Sequence, residues 1–126
     1  MVTEKCRTVK TVLVVDDDPL IRMTATDMLE DLGYRVIEAN SAKGALEILE
    51  AGEEIDLLLT DHAMPGMTGT ELAAVAHRER PRLPVILTTG YADLPNGRKT
   101  ELPLLSKPYD QAQLQAEISR LLERQG

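Results

Sequence analysis

Apolar positions along the chain fall into two alternating patterns. Short runs rich in β-branched residues and leucine occupy residues 11–16, 35–39, 56–61, 84–89 and 103–106, and each reads as a strand. All but the second are largely apolar rather than alternating, as expected of strands covered on both faces of a parallel sheet. Between them, apolar residues recur at helical spacing. In the first such segment Ile21, Ala25, Met28, Leu29 and Leu32 form one stripe. Asp18 suits its N-cap, Pro19 its first position and Gly33 its stop. A second helix is expected from Ser41 to near Gly52, and a third from about Thr68 to Arg80, ahead of Pro81. The last starts at Asp110, where Gln113 completes a capping box, and its stripe is Leu114, Ile118, Leu121 and Leu122. Residues 91–103 differ, with Pro95, Gly97, Pro103 and no sustained stripe, so a loop or single turn is expected there.

This alternation predicts a doubly wound α/β fold. The 126 residues make one domain, with residues 1–9 read as a frayed tail. In such sheets the functional site lies at the carboxyl ends of the strands. Those ends carry Asp16, Asp17 and Asp18 on strand one and Asp61 on strand three. Strand four ends in Thr88 and Thr89 before Gly90, and strand five in Lys107 before Pro108.

Composition narrows the chemistry. A net charge of -7 argues against nucleic-acid binding, and three tyrosines with no Phe or Trp leave no set of stacking platforms for bases. The core must be aliphatic. One cysteine, Cys6, excludes an intrachain disulfide and reads as a loose thiol in the tail. No apolar run approaches the roughly 20 residues of a membrane span. The charged first ten residues do not read as a signal peptide, so a cytoplasmic protein is expected. His62 and His77 lack ligand spacing and read as structural or surface residues; Met64 and Met67 read as packing.

The acidic rim has its own logic. Crowded carboxylates repel and tend to protonate, and a divalent cation removes that cost. Oxygen-only ligands favour a hard ion such as magnesium. One carboxylate can then attack phosphorus while metal and lysine stabilise the transferring charge and a threonine hydroxyl donates to a phosphoryl oxygen. Each piece alone has a plainer reading: Asp18 as a helix cap, the threonines as strand packing, Lys107-Pro108 as a turn. The pieces gain weight by occurring in order, each at the end of its own strand.

Four stretches carry a resemblance: Leu13 to Asp18, Thr60 to Gly69 with its Asp-x-x-Met-Pro-x-Met-x-Gly string, Pro84 to Gly90, and Lys107-Pro108-Tyr109. Together they resemble the signature of response-regulator receiver domains of two-component signalling, over residues 10–124. The resemblance implies a flavodoxin-like receiver fold with strand order 2-1-3-4-5. It makes Asp61 the phosphoacceptor, with Asp16 and Asp17 the acidic pair and Asp17 the direct magnesium ligand. The backbone carbonyl of Ala63 is the further metal ligand, Thr89 the switch hydroxyl and Lys107 the lysine that pairs with acceptor and phosphate. Lys107-Pro108 is then a candidate cis bond. The implied partner is a sensor histidine kinase or a histidine phosphotransfer domain, and the implied cofactor is Mg2+.

Two departures stand out. The switch aromatic is replaced by Leu104, and the tract from Thr89 to Lys107 is short, which implies a shortened or irregular fourth helix between strands four and five. That short tract resembles the C-terminal receivers of hybrid sensor kinases. Such a domain acts on itself only, so no enzyme with an external substrate is expected. Two alternatives compete. A haloacid-dehalogenase-like phosphatase would use Asp16 and Asp18, Thr89-Gly90 and Lys107, but leaves Asp61 and its Met-Pro string unexplained. A receiver-shaped interaction module that is never phosphorylated would typically lack one or more of the rim side chains.

Overall fold

The apolar run Thr11–Val15 forms strand β1, and all five of its residues are buried. A computed structural model of the chain describes residues 9–89, 103–107 and 109–125. In chain order the elements are β1 (Thr11–Val15), α1 (Pro19–Asp31), β2 (Arg35–Ala39), α2 (Ala42–Glu50), β3 (Leu57–Asp61), α3 (Gly69–Glu79), β4 (Val85–Thr89), β5 (Leu104–Ser106) and α4 (Gln111–Gln125). The strands form one parallel sheet in the order β2-β1-β3-β4-β5.

Burial explains the strand patterns. β1, β3 and β4 lie inside the sheet and are buried along their whole length. β2 is an edge strand with one buried residue, Ala39, which is why it can carry the charged Arg35 and Glu38 at exposed positions. Two aliphatic cores flank the sheet. One joins Leu13, Val15 and Leu58 to Leu49 of α2 and Leu72 of α3. The other joins Val12, Leu59 and Ile86 to Leu29 of α1 and to Leu114 and Ile118 of α4. Met64 is buried in the first core and Met67 packs against it, as their packing role required.

Helix ends follow local chemistry. Asp18 caps α1 by accepting from the Leu20 and Ile21 amides, so its plainer reading holds. Gly33 follows the C-cap with φ 100°, a left-handed conformation that suits glycine. Ser41 caps α2 through the Gly44 amide. Asp110 and Gln113 form the expected capping box at α4. At α3 the expected start at Thr68 is a full capping box: the Thr68 hydroxyl accepts from the Glu71 amide and Glu71 Oε1 accepts from the Thr68 amide. Strand boundaries differ from expectation by one residue: Asp16 lies just past β1, although its amide still donates to the Ala39 carbonyl at 3.2 Å. The shortened fourth helix, Gly90, the tail residues 1–8 with Cys6, and Pro108 with its candidate cis bond lie outside the described residues.

Candidate functional site

Parallel register brings the strand ends together. β1 and β4 both flank β3, and Asp61, the last residue of β3, is in register with Thr88 of β4. Asp16 and Asp61 are each only 5% exposed, whereas Asp17 faces solvent. Carboxylate oxygens of Asp16, Asp17 and Asp61 lie within 4.8 Å of one another. Lys107 follows β5 and reaches into this group. Its Nζ is 2.8 Å from Asp61 Oδ1 and 3.7 Å from Asp16 Oδ2. Its amide donates to the Thr89 carbonyl at 2.7 Å, which ties the lysine to the end of β4.

Thr88 and Thr89 are both buried. Thr89 closes β4 next to Lys107, and Thr88 stands opposite Asp61, its hydroxyl 3.5 Å from the Thr60 carbonyl. Ala63 is exposed two residues past Asp61. His62 bonds Thr70 through Nδ1 and His77 bonds the Leu83 carbonyl through Nε2, so both histidines serve local structure.

The electrostatics follow from burial. Asp16 titrates above the usual carboxylate range, chiefly because burial disfavours its charge. The Asp18 amide opposes that shift by donating to Asp16 Oδ1 at 2.9 Å, while the charge of Asp61 adds to it. Burial alone lowers Lys107, but the hydrogen bond and charge of Asp61, with the charge of Asp16, overcome it and raise the ammonium. Burial likewise raises the Tyr109 hydroxyl. Three carboxylates against one ammonium leave two negative charges uncompensated at an all-oxygen site. That donor set and charge fit a hard divalent cation of the magnesium kind.

Two neighbours were not anticipated in a functional role. Arg22, one turn into α1, donates from Nη1 to the Asp16 carbonyl at 2.7 Å and from Nε to Glu38 Oε1 at 3.0 Å. Gly69 packs so closely under Asp61 that an added Cβ meets the Asp61 carbonyl oxygen and Leu87 Cδ1. The glycine was visible as the end of the Met-Pro string. Nothing in the spacing of Arg22 and Glu38 reveals that they meet.

A family model described as "Response regulator receiver domain" matches residues 12–119. Among curated proteins the chain is 35% identical over 120 residues to "Sensor kinase CckA" of Brucella abortus, covering 91% of this chain and 13% of that protein. It is 35% identical over 117 residues to "Response regulator receiver protein CpdR" of the same organism, covering 90% and 97%. The chain thus spans a small part of the first relative and nearly all of the second. A solved response regulator receiver domain protein from Clostridium thermocellum superposes with a TM-score of 0.85 at 28% identity, covering 93% and 97% of the two chains. Response regulator protein TrrA from Thermotoga maritima, in complex with Mg(2+)-BeF, gives 0.81 at 28% identity, covering 90% and 100%. The chain belongs to the response regulator receiver domain family, the phosphoacceptor module of two-component signalling. Neither alternative is favoured. Asp61, which the phosphatase reading left unexplained, is the carboxylate paired with Lys107, and the rim side chains that a non-phosphorylated module would lack are present.

Proposed function

We propose that Asp61 accepts a phosphoryl group from a phosphohistidine of a sensor histidine kinase or a histidine phosphotransfer domain. The observation that carries this reading is Lys107 Nζ at 2.8 Å from Asp61 Oδ1, inside a cluster of three carboxylates. An Asp61 oxygen forms the bond to phosphorus as the donor's phosphorus–nitrogen bond breaks, and the imidazole leaves with that electron pair. The Lys107 ammonium, already beside the acceptor, balances charge on the transferring group. Thr89 is assigned the hydroxyl that donates to a phosphoryl oxygen. Asp16, Asp17, Asp61 and the backbone carbonyl of Ala63 are assigned to hold Mg2+. When bound, the ion supplies charge neutralisation at the phosphoryl oxygens. The Mg(2+)-BeF complex of the Thermotoga relative supports that assignment.

The domain promotes only its own phosphorylation and dephosphorylation. Its likeness to part of a sensor kinase supports the reading of a C-terminal hybrid-kinase receiver. Its likeness to CpdR, over 97% of that protein, supports a stand-alone regulator equally well. No helix among the described residues is long and apolar enough to cross a membrane, which accords with a cytoplasmic place. Leu104, at the usual switch-aromatic position, is 39% exposed and lacks a ring to reorient, so we assign a monomer whose phosphorylation does not drive dimerisation.

The test is incubation with a small acyl-phosphate donor, with and without magnesium. A magnesium-dependent, hydroxylamine-sensitive phosphoprotein is the expected product. Labelling that is indifferent to magnesium overturns the metal assignment, and no labelling overturns the phosphoacceptor reading.

A further inference from the structure

Arg22 and Glu38 lie outside the carboxylate cluster, and neither belongs to the stretches that carry the family resemblance. The Arg22 guanidinium makes two bonds in different directions. Nη1 donates to the carbonyl of Asp16, and Nε donates to Oε1 of Glu38 on β2. The accepting carbonyl belongs to the peptide that joins Asp16 to Asp17. The orientation of that peptide sets where both carboxylates start from. The peptide sits just past the end of β1, where the strand ladder no longer holds it. Asp16 is also tied on either side of that peptide, its amide donating to the Ala39 carbonyl and its Oδ1 accepting from the Asp18 amide. The Asp16 carbonyl itself is held by Arg22.

Glu38 completes the arrangement. Val14 and Glu38 are in register across the β1–β2 pair, so the acid is fixed by the sheet. It holds the guanidinium in place and balances its charge. The acidic cluster therefore keeps its attraction for a cation although an arginine stands one peptide away. Only the Arg22 side chain is well covered, at 19% exposed against 44% for Glu38, so the arginine is the more constrained member of the pair.

We infer that Arg22, oriented by Glu38, is a positioning residue for the divalent-cation site formed around Asp16 and Asp17. The inference rests on the reading of that cluster as a magnesium site. Partners that orient a metal's direct ligands commonly contribute tenfold or more to affinity.

The test is magnesium titration by calorimetry on the full chain, well below its melting temperature, with thermal stability in chelator recorded in parallel. The expected result for Arg22→Ala is about tenfold weaker magnesium binding. Arg22→Lys, which keeps a donor to the carbonyl but not the bridge, falls between Arg22→Ala and the parent. Glu38→Ala also weakens binding, and Arg22→Ala/Glu38→Ala is no worse than Arg22→Ala alone, because Glu38 acts through the arginine. Asp17→Ala marks the loss expected when a ligand itself is removed. Parent-like affinity in Arg22→Ala and Arg22→Lys, with only melting temperature lowered, overturns the inference and leaves the site intact. A parent that binds no magnesium overturns the site reading and the inference with it. If Arg22→Ala does not fold, Arg22→Lys and Glu38→Ala decide by the same affinities.

Discussion

Lys107 and Asp61 form a partly buried ion pair, with Nζ 2.8 Å from Oδ1. The two residues are 46 positions apart in sequence and meet only because β4 sits between β3 and β5. The pairing keeps the ammonium protonated, since the charge and hydrogen bond of Asp61 outweigh the burial that alone would lower it.

Lys107→Gln removes that positive charge and leaves a neutral donor on a side chain one bond shorter. Its expected effect is about a hundredfold slower phosphorylation by a small donor, in the range seen when a charge-stabilising group is deleted. Initial rates of phosphoprotein formation measure it. A rate equal to the parent's restricts Lys107 to a structural pairing.

Asp16 gives a pH dependence with a definite sign. Its folded value lies above the ordinary 3.8, mainly through burial, so the folded chain binds this proton more tightly than the unfolded chain. Its charged form therefore opposes folding near neutrality, and the penalty fades as pH falls through the raised value. In chelator at pH 7, Asp16→Asn is expected to be more stable than the parent. The gap closes on acidification to below the ordinary carboxylate range. Denaturant melts across pH read this directly; a gap that is constant or grows at low pH contradicts the assignment.

Gly69 is expected to tolerate no side chain. Alanine there presses on the Asp61 carbonyl oxygen and Leu87 Cδ1, and the first of these is backbone. Gly69→Ala should cost about 1–3 kcal/mol of stability, as overpacking does. It should also slow phosphorylation, because relief requires the acceptor's own backbone to move. Unchanged melting and unchanged rate together show that α3 has room to shift.

Phosphoryl lifetime depends on what can hold an attacking water. Ala63 is exposed two residues past Asp61 and its methyl group offers no hydrogen bond. Slow self-dephosphorylation is expected, and Ala63→Asn should hasten it by placing an amide where water approaches. Family resemblance places Tyr91, two residues past Thr89, on the other side of the water's approach; it lies outside the described residues. Decay time courses of the two labelled proteins decide; equal decay removes Ala63 from the account.

Most of this fold was legible before the structure. Buried strands announce themselves by unbroken apolar runs such as Val12 to Val15, and helix starts by side chains such as Asp18 and Ser41 that satisfy open amides. The acidic rim was legible because a parallel sheet brings every strand end to one edge. Arg22 with Glu38 was not, because a long side chain reaching back from a helix to a strand end leaves no periodic trace. The division of labour within the rim was legible as well: Asp18, next to Pro19 at a helix start, reads as a cap, and it caps α1 outside the cluster of Asp16, Asp17 and Asp61.

Whether Asp61 carries the phosphoryl group is decided by peptide mass spectrometry of the protein after treatment with a small phosphodonor and magnesium, beside Asp61→Asn. One acyl phosphate is expected on the peptide containing Asp61 in the parent and none in the variant, because an amide is not a competent nucleophile. A phosphoryl group of equal yield in Asp61→Asn, or one found in the parent on Asp16 or Asp17, contradicts the Asp61 assignment.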